Sequence, residues 1–151
     1  MFRYALPHLK KSHGQIVVMS SYSGEIGFHY RTAYCASKFA VTGFFESLRM
    51  EMQMAIDITI ICPITVETSF REHAIMKPKL TPEDEAHLKD AATRQKSGSS
   101  LSVAEAIDII MEGCDKRARK VIFPTKPWVA NYVRPIFPDI IDKRMFEMSK
   151  L

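Results

Sequence analysis

The chain has 151 residues, of which 46% are apolar and 25% are charged, and its formal net charge is +4. This composition indicates a single domain spanning 1–151 with a sizeable core, and it excludes an intrinsically disordered chain. The mildly basic balance does not indicate a nucleic-acid partner, and we expect none. No apolar run reaches the roughly 18 residues of a membrane span.

The first eleven residues suit a helix, which His13 and Gly14 end. The run QIVVMS follows; it is apolar, rich in β-branched residues and typical of a strand buried on both faces. Ser20 reads as a residue at the end of this strand. The stretch SYSGEIGFHYR is then predicted to be a loop.

A long helix is predicted from Thr32 to Ala55. One apolar side has helical spacing and consists of Val41, Phe44, Phe45, Leu48, Met52 and Ala55. A second apolar side carries Phe39, Gly43, Met50 and Met54. A helix that is apolar on two sides is expected to pack on the sheet and on a partner, so we predict a homo-oligomer formed through the 32–55 helix.

Two further strands and three helical segments complete the chain. DITIIC is a continuous apolar strand that ends at Pro63, and RKVIFP is a third strand. TPED at Thr81 starts a helix, and Ser102 with Glu105 forms a capping box for another. The segment 128–151 is predicted to be helical with breaks at its two prolines.

Strands that alternate with helices indicate a parallel α/β sheet with helices on both faces. In such sheets the chemistry gathers at the carboxyl ends of the strands, here after Met19 and after Cys62. The cysteines are Cys35, Cys62 and Cys114, with no C-x-x-C pair and no histidine spacing for zinc. We therefore expect reduced thiols in a reducing intracellular compartment, and no metal site.

The segment AYCASK holds the candidate chemistry. Tyr34 and Lys38 are one helical turn apart on one face, and Ser21 closes the first strand. A lysine ammonium favours the phenolate form of a neighbouring tyrosine, which then exchanges a proton with an alcohol or carbonyl oxygen. A serine hydroxyl can hold the same oxygen by a hydrogen bond.

Y-x-x-x-K alone usually marks a solvated helix face, so two other functions stay open. One is a non-catalytic interaction or dimerisation module that pairs through the two-sided helix. The other is a hydrolase with Ser21 as nucleophile and Lys38 as base, although G-x-S-x-G is absent.

Four segments in order, IVVMSSYSG, YCASK, FFESLRMEM and DITIICPITVET, resemble the short-chain dehydrogenase/reductase family over most of the chain. The resemblance implies a Rossmann-like fold and hydride transfer between NAD or NADP, with NADP slightly favoured, and a carbonyl or alcohol substrate. It makes Ser21 the residue that orients substrate, Tyr34 the general acid/base, and Lys38 the group that stabilises the phenolate and binds the nicotinamide ribose.

The same resemblance aligns PITVET with the family's P-G-x-V-x-T segment beside the nicotinamide. Pro63, Ile64, Val66 and Thr68 then join Tyr34 and Lys38 as cofactor-binding residues, with Thr68 on the carboxamide and the Val66 backbone assisting. Ile64 replaces the family's glycine, and its branched side chain is expected to crowd the nicotinamide or to alter the turn.

The resemblance also implies a variable substrate lid at about 70–100. It is strongest to the membrane-associated hydroxysteroid and retinoid-type branch, which implies a lipophilic alcohol or ketone and a cytoplasmic or endoplasmic-reticulum location. The C-terminal segment is basic and aromatic, so two interpretations stay open: peripheral contact with an anionic membrane surface, or a solvated face with a docked helix.

The family's Gly-rich phosphate turn and its N-N-A-G segment have no counterpart in these 151 residues. We therefore expect the C-terminal, catalytic part of the fold without the nucleotide-binding half, either as a fragment or as a truncated product. The strand QIVVMS would then expose an unpaired apolar edge. Such a chain is expected to fold poorly alone and to bind cofactor weakly.

Overall fold

The computed structural model describes residues 2–29, 31–53, 55–68, 101–124 and 132–150. Its elements in chain order are α1 (Phe2–Lys11), β1 (Gln15–Met19), a short 3-10 helix (Tyr22–Gly24), α2 (Thr32–Glu51), β2 (Asp57–Pro63), α3 (Val103–Asp115), β3 (Lys120–Phe123) and α4 (Pro138–Lys150). The helix predicted at Thr81 and the lid predicted at about 70–100 lie outside the described residues.

The described strands form one parallel sheet in the order β1–β2–β3. Val17 of β1 is level with Thr59 of β2, and Ile61 of β2 is level with Val121 of β3. Each strand lies within one residue of its predicted bounds. The parallel α/β architecture predicted from the sequence is therefore confirmed, and the carboxyl ends of all three strands lie at the same edge of the sheet.

Helices pack on both faces of this sheet. On one face α1 and α2 pack over a cluster of Ile16, Val18, Phe45, Leu48, Ile56, Ile58, Ile60 and Cys62. On the other face α3 packs through Ala106 against Ile61 and Phe123. Successive residues of β2 thus point into different cores, which explains why the whole strand is apolar.

The other edge of β1 has no strand partner within the described part of the chain. Val17 and Met19 are also exposed on the face of β1 that points away from α1 and α2. The predicted apolar edge is therefore present among the described residues. An edge of this kind is a template for pairing with another strand.

The predicted end of α2 was wrong. The helix ends at Glu51, not at Ala55, because Gln53 adopts a left-handed backbone conformation with φ 50°. Phe44, which was predicted on the same apolar side as Phe45 and Leu48, is 55% exposed. The buried side of α2 is centred on Phe45 and Leu48, and Phe44 lies at its margin with its ring against that of Phe45.

The capping box predicted at Ser102 and Glu105 was correct. Ser102 accepts a hydrogen bond from the Glu105 amide, and the Glu105 carboxylate accepts one from the Ser102 amide, so the capping box of α3 is confirmed. The predicted loop after β1 contains the short 3-10 helix, which Ser21 caps.

A buried arginine joins α2 to the sheet. Arg49 donates to the carbonyl oxygens of Ile58 at 2.5 Å and of Arg119 at 3.1 Å, and it pairs with Glu46. Ile58 precedes the first β2–β3 pair, Ile60 with Lys120. Arg49 therefore donates a hydrogen bond to β2 at a position where β2 is not paired with β3. The same contact holds α2, the helix that carries Tyr34 and Lys38, against the sheet.

Candidate functional site

Ser21 lies at the carboxyl edge of the sheet, next to the end of β2. Its hydroxyl accepts a hydrogen bond from the Ser23 amide at 3.2 Å and donates to the Pro63 carbonyl oxygen at 3.5 Å. Ser21 is buried, and the Ser20 amide continues the β1 ladder by donating to Ile61 at 2.9 Å. The structure thus brings together two of the predicted site residues, Ser21 and Pro63.

Tyr34 and Lys38 lie on the first turns of α2. The Lys38 ammonium nitrogen is 5.8 Å from the centroid of the Tyr34 ring. It also donates to the Met19 carbonyl oxygen at 3.4 Å. Lys38 therefore joins Tyr34 to the end of β1, two residues before Ser21.

The loop after β1 approaches α2 more closely than was predicted from the sequence. The Ser20 hydroxyl lies 3.0 Å from the Thr42 hydroxyl, and both residues are buried. A Cβ atom on Gly24 would lie 2.8 Å from the Lys38 carbonyl oxygen, so only glycine fits there without movement. A glycine inside a serine-rich loop was the available signal for this contact.

The segment after β2 is held by backbone hydrogen bonds. The Ile64 amide donates to the Phe123 carbonyl oxygen at 2.9 Å, and Val66 forms a parallel bridge with Leu101. Thr68 is exposed at the end of the described segment. Ile64 is not among the described residues with positive φ, so this turn does not require the glycine that it replaces.

A charged group lies behind the loop. Glu25 pairs with Lys120 at 2.8 Å, and the Cys62 thiol lies 3.9 Å from the same carboxylate. Burial, reinforced by Glu25, raises the pKa of Cys62 to about 12. The thiol therefore stays protonated at neutral pH, and all three cysteines are free.

Tyr22, in the loop after β1, is not suited to proton exchange. Burial, reinforced by the charge of Glu25, raises the pKa of Tyr22 to about 12. Its side chain is fully buried against the ring of Phe28. Tyr34, which is only half-buried, is the tyrosine next to an ammonium group.

A cavity of about 320 Å³ adjoins the loop. It is lined by Glu25, Ile26, Arg134, Pro135 and Pro138. Arg134 also pairs with Asp142 at 2.7 Å, and His29 contacts the ring of Phe146 at 5.2 Å. The C-terminal segment thus contacts the loop that precedes Tyr34.

The side chains at the carboxyl edge of the sheet can bind hydroxyl and carbonyl groups of a ligand. They offer a phenol, an ammonium group and a serine hydroxyl, which are donors for ribose hydroxyls and for a carbonyl oxygen. Over the described ranges, no three His, Cys, Asp or Glu side chains are grouped to hold a metal ion. No helix within those ranges is long and apolar enough to cross a membrane.

The chain is similar in sequence to known proteins. The family model for short chain dehydrogenase matches residues 1–78. The "Dehydrogenase/reductase SDR family protein 7-like" of Dictyostelium discoideum is 33% identical over 89% of the chain and 39% of its own length. The "11-beta-hydroxysteroid dehydrogenase" of Pinus massoniana is 33% identical over 92% of the chain and 38% of its own length. The chain spans less than two fifths of either relative.

Solved structures show the same fold at low sequence identity. A short-chain dehydrogenase/reductase from Burkholderia phymatum in complex with NAD has a TM-score of 0.73 and 17% identity, covering 92% of this chain and 53% of that one. A short chain dehydrogenase from Burkholderia cenocepacia in complex with NADP has a TM-score of 0.70 and 16% identity, covering 96% and 52%. At these identities the likeness concerns the fold.

Proposed function

We propose a function from one premise: the chain belongs to the short-chain dehydrogenase/reductase family. The proposed reaction is hydride transfer between NAD(P)(H) and a carbonyl or alcohol, with Ser21, Tyr34 and Lys38 as the catalytic residues. The observation that carries this proposal is the position of Lys38, whose ammonium group lies between the Tyr34 ring and the end of β1 beside Ser21.

Each residue has a distinct role in the proposed mechanism. A nicotinamide cofactor, when bound, would supply the hydride in the reductive direction and accept it in the oxidative one. The Tyr34 phenol donates a proton to the carbonyl oxygen during reduction, and the Tyr34 phenolate accepts the proton of the alcohol during oxidation. The Ser21 hydroxyl donates a hydrogen bond to the same oxygen, and the Lys38 ammonium favours the phenolate form of Tyr34.

The proposed cofactor site combines Tyr34 and Lys38 with the segment after β2. Lys38 would contact the ribose hydroxyls. The other proposed cofactor-binding residues are Pro63, Ile64, Val66 and Thr68. The backbone hydrogen bonds of Ile64 and Glu67 support a preformed turn in this segment. Neighbouring structures are complexes with NAD or with NADP, and we propose NADP for this protein.

The proposed substrate is a lipophilic ketone or alcohol. Two observations support it: several relatives are named as hydroxysteroid dehydrogenases, and the cavity beside the loop has Ile26 and two prolines in its lining. Its charged lining residues, Glu25 and Arg134, are each engaged in an ion pair. They can therefore lie beside an uncharged ligand without leaving an unpaired charge.

The reaction is tested with the longest natural chain that contains these residues. NADPH and NADH oxidation is followed at 340 nm with a panel of steroid, retinoid and short aliphatic carbonyls. We expect turnover of the lipophilic members with NADPH. Stoichiometric cofactor binding without turnover of any member would contradict the proposed reaction. Co-purification with a partner, with no effect of Tyr34→Phe, would favour the interaction module. Labelling of Ser21 by a serine-reactive phosphonate would support the hydrolase, which the contacts of Ser21 and Lys38 do not favour.

We also propose that α2 pairs with α2 of a second copy. Phe39, Phe44 and Met50 are exposed along the helix, and small exposed residues lie between these large side chains. The small residues are Ala36, Ala40, Gly43 and Ser47. A strip of small residues flanked by large ones lets a second helix approach closely, and a two-fold axis makes the same strip complementary to itself.

Ala40→Glu is expected to convert the dimer to a monomer, because it places a charge in the centre of this strip. Light scattering after size exclusion measures the mass of each variant at matched concentrations. Ala104→Glu, at an exposed alanine of α3, is the control and is expected to stay dimeric. A dimer that persists in Ala40→Glu would contradict pairing through α2.

Peripheral contact of the C-terminal segment with an anionic membrane is proposed from its surface. Tyr132, Ile136, Phe137 and Ile140 are exposed, and Lys143 and Arg144 follow them on α4. Aromatic and aliphatic side chains beside basic ones suit the headgroup region. We expect co-sedimentation with phosphatidylserine vesicles that Ile136→Asp with Phe137→Asp reduces. Equal sedimentation of the double variant would contradict the contact.

A further inference from the structure

Two buried hydroxyl groups join the loop after β1 to the middle of α2. The Ser20 and Thr42 hydroxyl oxygens are 3.0 Å apart, and the residues are only 3% and 8% exposed. The Ser20 hydroxyl also lies 3.5 Å from the Lys38 carbonyl oxygen. Buried hydroxyls require hydrogen-bond partners. Here the two hydroxyls are each other's partner, although they are 22 residues apart in the chain.

Gly24 brings the loop backbone to the same point. A Cβ atom on Gly24 would lie 2.8 Å from the Lys38 carbonyl oxygen, 2.8 Å from the Thr42 hydroxyl and 2.9 Å from the Ser20 hydroxyl. The loop therefore touches α2 through its backbone as well as through Ser20. Two contacts at one point fix the loop against both sliding along the helix and lifting away from it.

The location of this contact matters for the site. Ser20 directly precedes Ser21, and Thr42 lies one helical turn after Lys38. The Lys38 ammonium itself binds the carbonyl oxygen of Met19, on the other side of Ser20. The Ser20–Thr42 hydrogen bond thus joins the strand end that carries Ser21 to the helix that carries Tyr34 and Lys38.

We propose that Ser20 and Thr42 are positioning residues that set the Ser21 hydroxyl relative to Tyr34. This inference rests on the proposed function. A hydrogen bond between two hydroxyls specifies a direction and a distance, which a contact between alkyl groups does not. Misplacing a reacting group by 1 Å costs up to about 100-fold in rate, so a single buried hydrogen bond beside Ser21 has a measurable kinetic effect.

The first test does not depend on activity. Amide hydrogen exchange is measured in the longest natural chain and in its Thr42→Val and Thr42→Ser variants. Ser23 and Gly24 donate amide hydrogen bonds to Ser21, so their exchange reports the loop, and the Ile60 amide, which binds the Arg119 carbonyl, reports the sheet. We expect exchange about 10-fold faster at Ser23 and Gly24 in Thr42→Val, unchanged exchange at Ile60, and recovery in Thr42→Ser.

The second test is a double-mutant cycle on kcat. Thr42→Val is expected to lower kcat about 10-fold with the cofactor KM unchanged, and to have no further effect when Ser21 is already alanine. An equal loss in both backgrounds would overturn the inference, because Thr42 would then act through general stability. Unchanged exchange at Gly24, or an equal increase at Ile60, would also overturn it.

The two proposals fail in different ways. A wild-type chain that reduces no carbonyl contradicts the proposed function, and the exchange result alone then decides whether the hydroxyl pair positions Ser21. If the wild-type chain is active and the Thr42→Val and Thr42→Ser variants have the same kcat as the wild type, the positioning role is contradicted. The proposed function is then left intact.

Discussion

Tyr34→Phe is expected to lower kcat for carbonyl reduction by about 1,000-fold, the middle of the range for loss of a general acid–base group. The phenylalanine ring keeps its place 5.8 Å from the Lys38 ammonium, so only the hydroxyl is removed. The cofactor KM is expected to change little, because Lys38 and the segment after Pro63 remain. Steady-state rates with saturating cofactor measure the effect.

Tyr4→Phe is the matched control for this substitution. Tyr4 is exposed on α1 and is expected to be without effect on kcat. Comparable unfolding temperatures of the two variants would exclude a loss of folded protein as the cause. A Tyr34→Phe variant with wild-type kcat would contradict the assignment of Tyr34 as the proton donor, whatever the identity of the substrate.

The elements of this fold were predictable where their signals are local. β2 is a continuous apolar run because its successive side chains enter two different cores. The run itself was enough to predict the strand from the sequence. The capping box of Ser102 and Glu105 is likewise complete within four residues. Both signals depend only on neighbouring positions, which is why the structure reproduces them.

Errors arose where tertiary contacts decide the outcome. Helical spacing placed Phe44 on the same side as Phe45 and Leu48, but Phe44 is exposed, because contact with the sheet determines how wide the buried side of α2 is. The end of α2 depends on the left-handed conformation of Gln53, which no strong local signal marks. Periodicity therefore locates a helix better than it identifies its margins.

The candidate site shows the same division. Tyr34 and Lys38 are one turn apart, so their proximity follows from the helix itself. Ser20 meets Thr42 from a position 22 residues away, and no spacing rule relates the two. Ser20 was predicted to be a strand-end residue. This is correct for its backbone, but the contact of its side chain with Thr42 was not predicted. Long-range hydroxyl contacts require the fold to be known first.

Arg49→Met is expected to lower the free energy of unfolding by about 3 kcal/mol, since it removes a buried, hydrogen-bonded charge. The Arg49 side chain is only 4% exposed and donates to the carbonyls of Ile58 and Arg119. Methionine fills most of the space but leaves both carbonyls without this donor. Chemical denaturation monitored by circular dichroism measures the loss.

Acid is expected to weaken the same contact through Glu46. Burial alone would raise the pKa of this carboxyl, but the hydrogen bond from Arg119 and the charges of Arg49 and Lys120 lower it below its ordinary 4.5. The stability that the ionised carboxylate contributes is therefore fully present above pH 4.5. It is lost as the pH falls through the lowered value. Glu46→Gln should show a smaller loss of stability over that acidic range than the wild type does.

The Arg119→Met variant is the control that distinguishes the buried hydrogen bonds of Arg49 from simple charge attraction to Glu46. Arg119 also contacts Glu46, at 3.0 Å, but its side chain is 57% exposed, so its loss is expected to cost about 1 kcal/mol or less. Its backbone carbonyl, which Arg49 binds, is retained in this variant. Equal losses in Arg49→Met and Arg119→Met would mean that attraction to Glu46, rather than the donors that Arg49 supplies to the sheet, holds α2 in place.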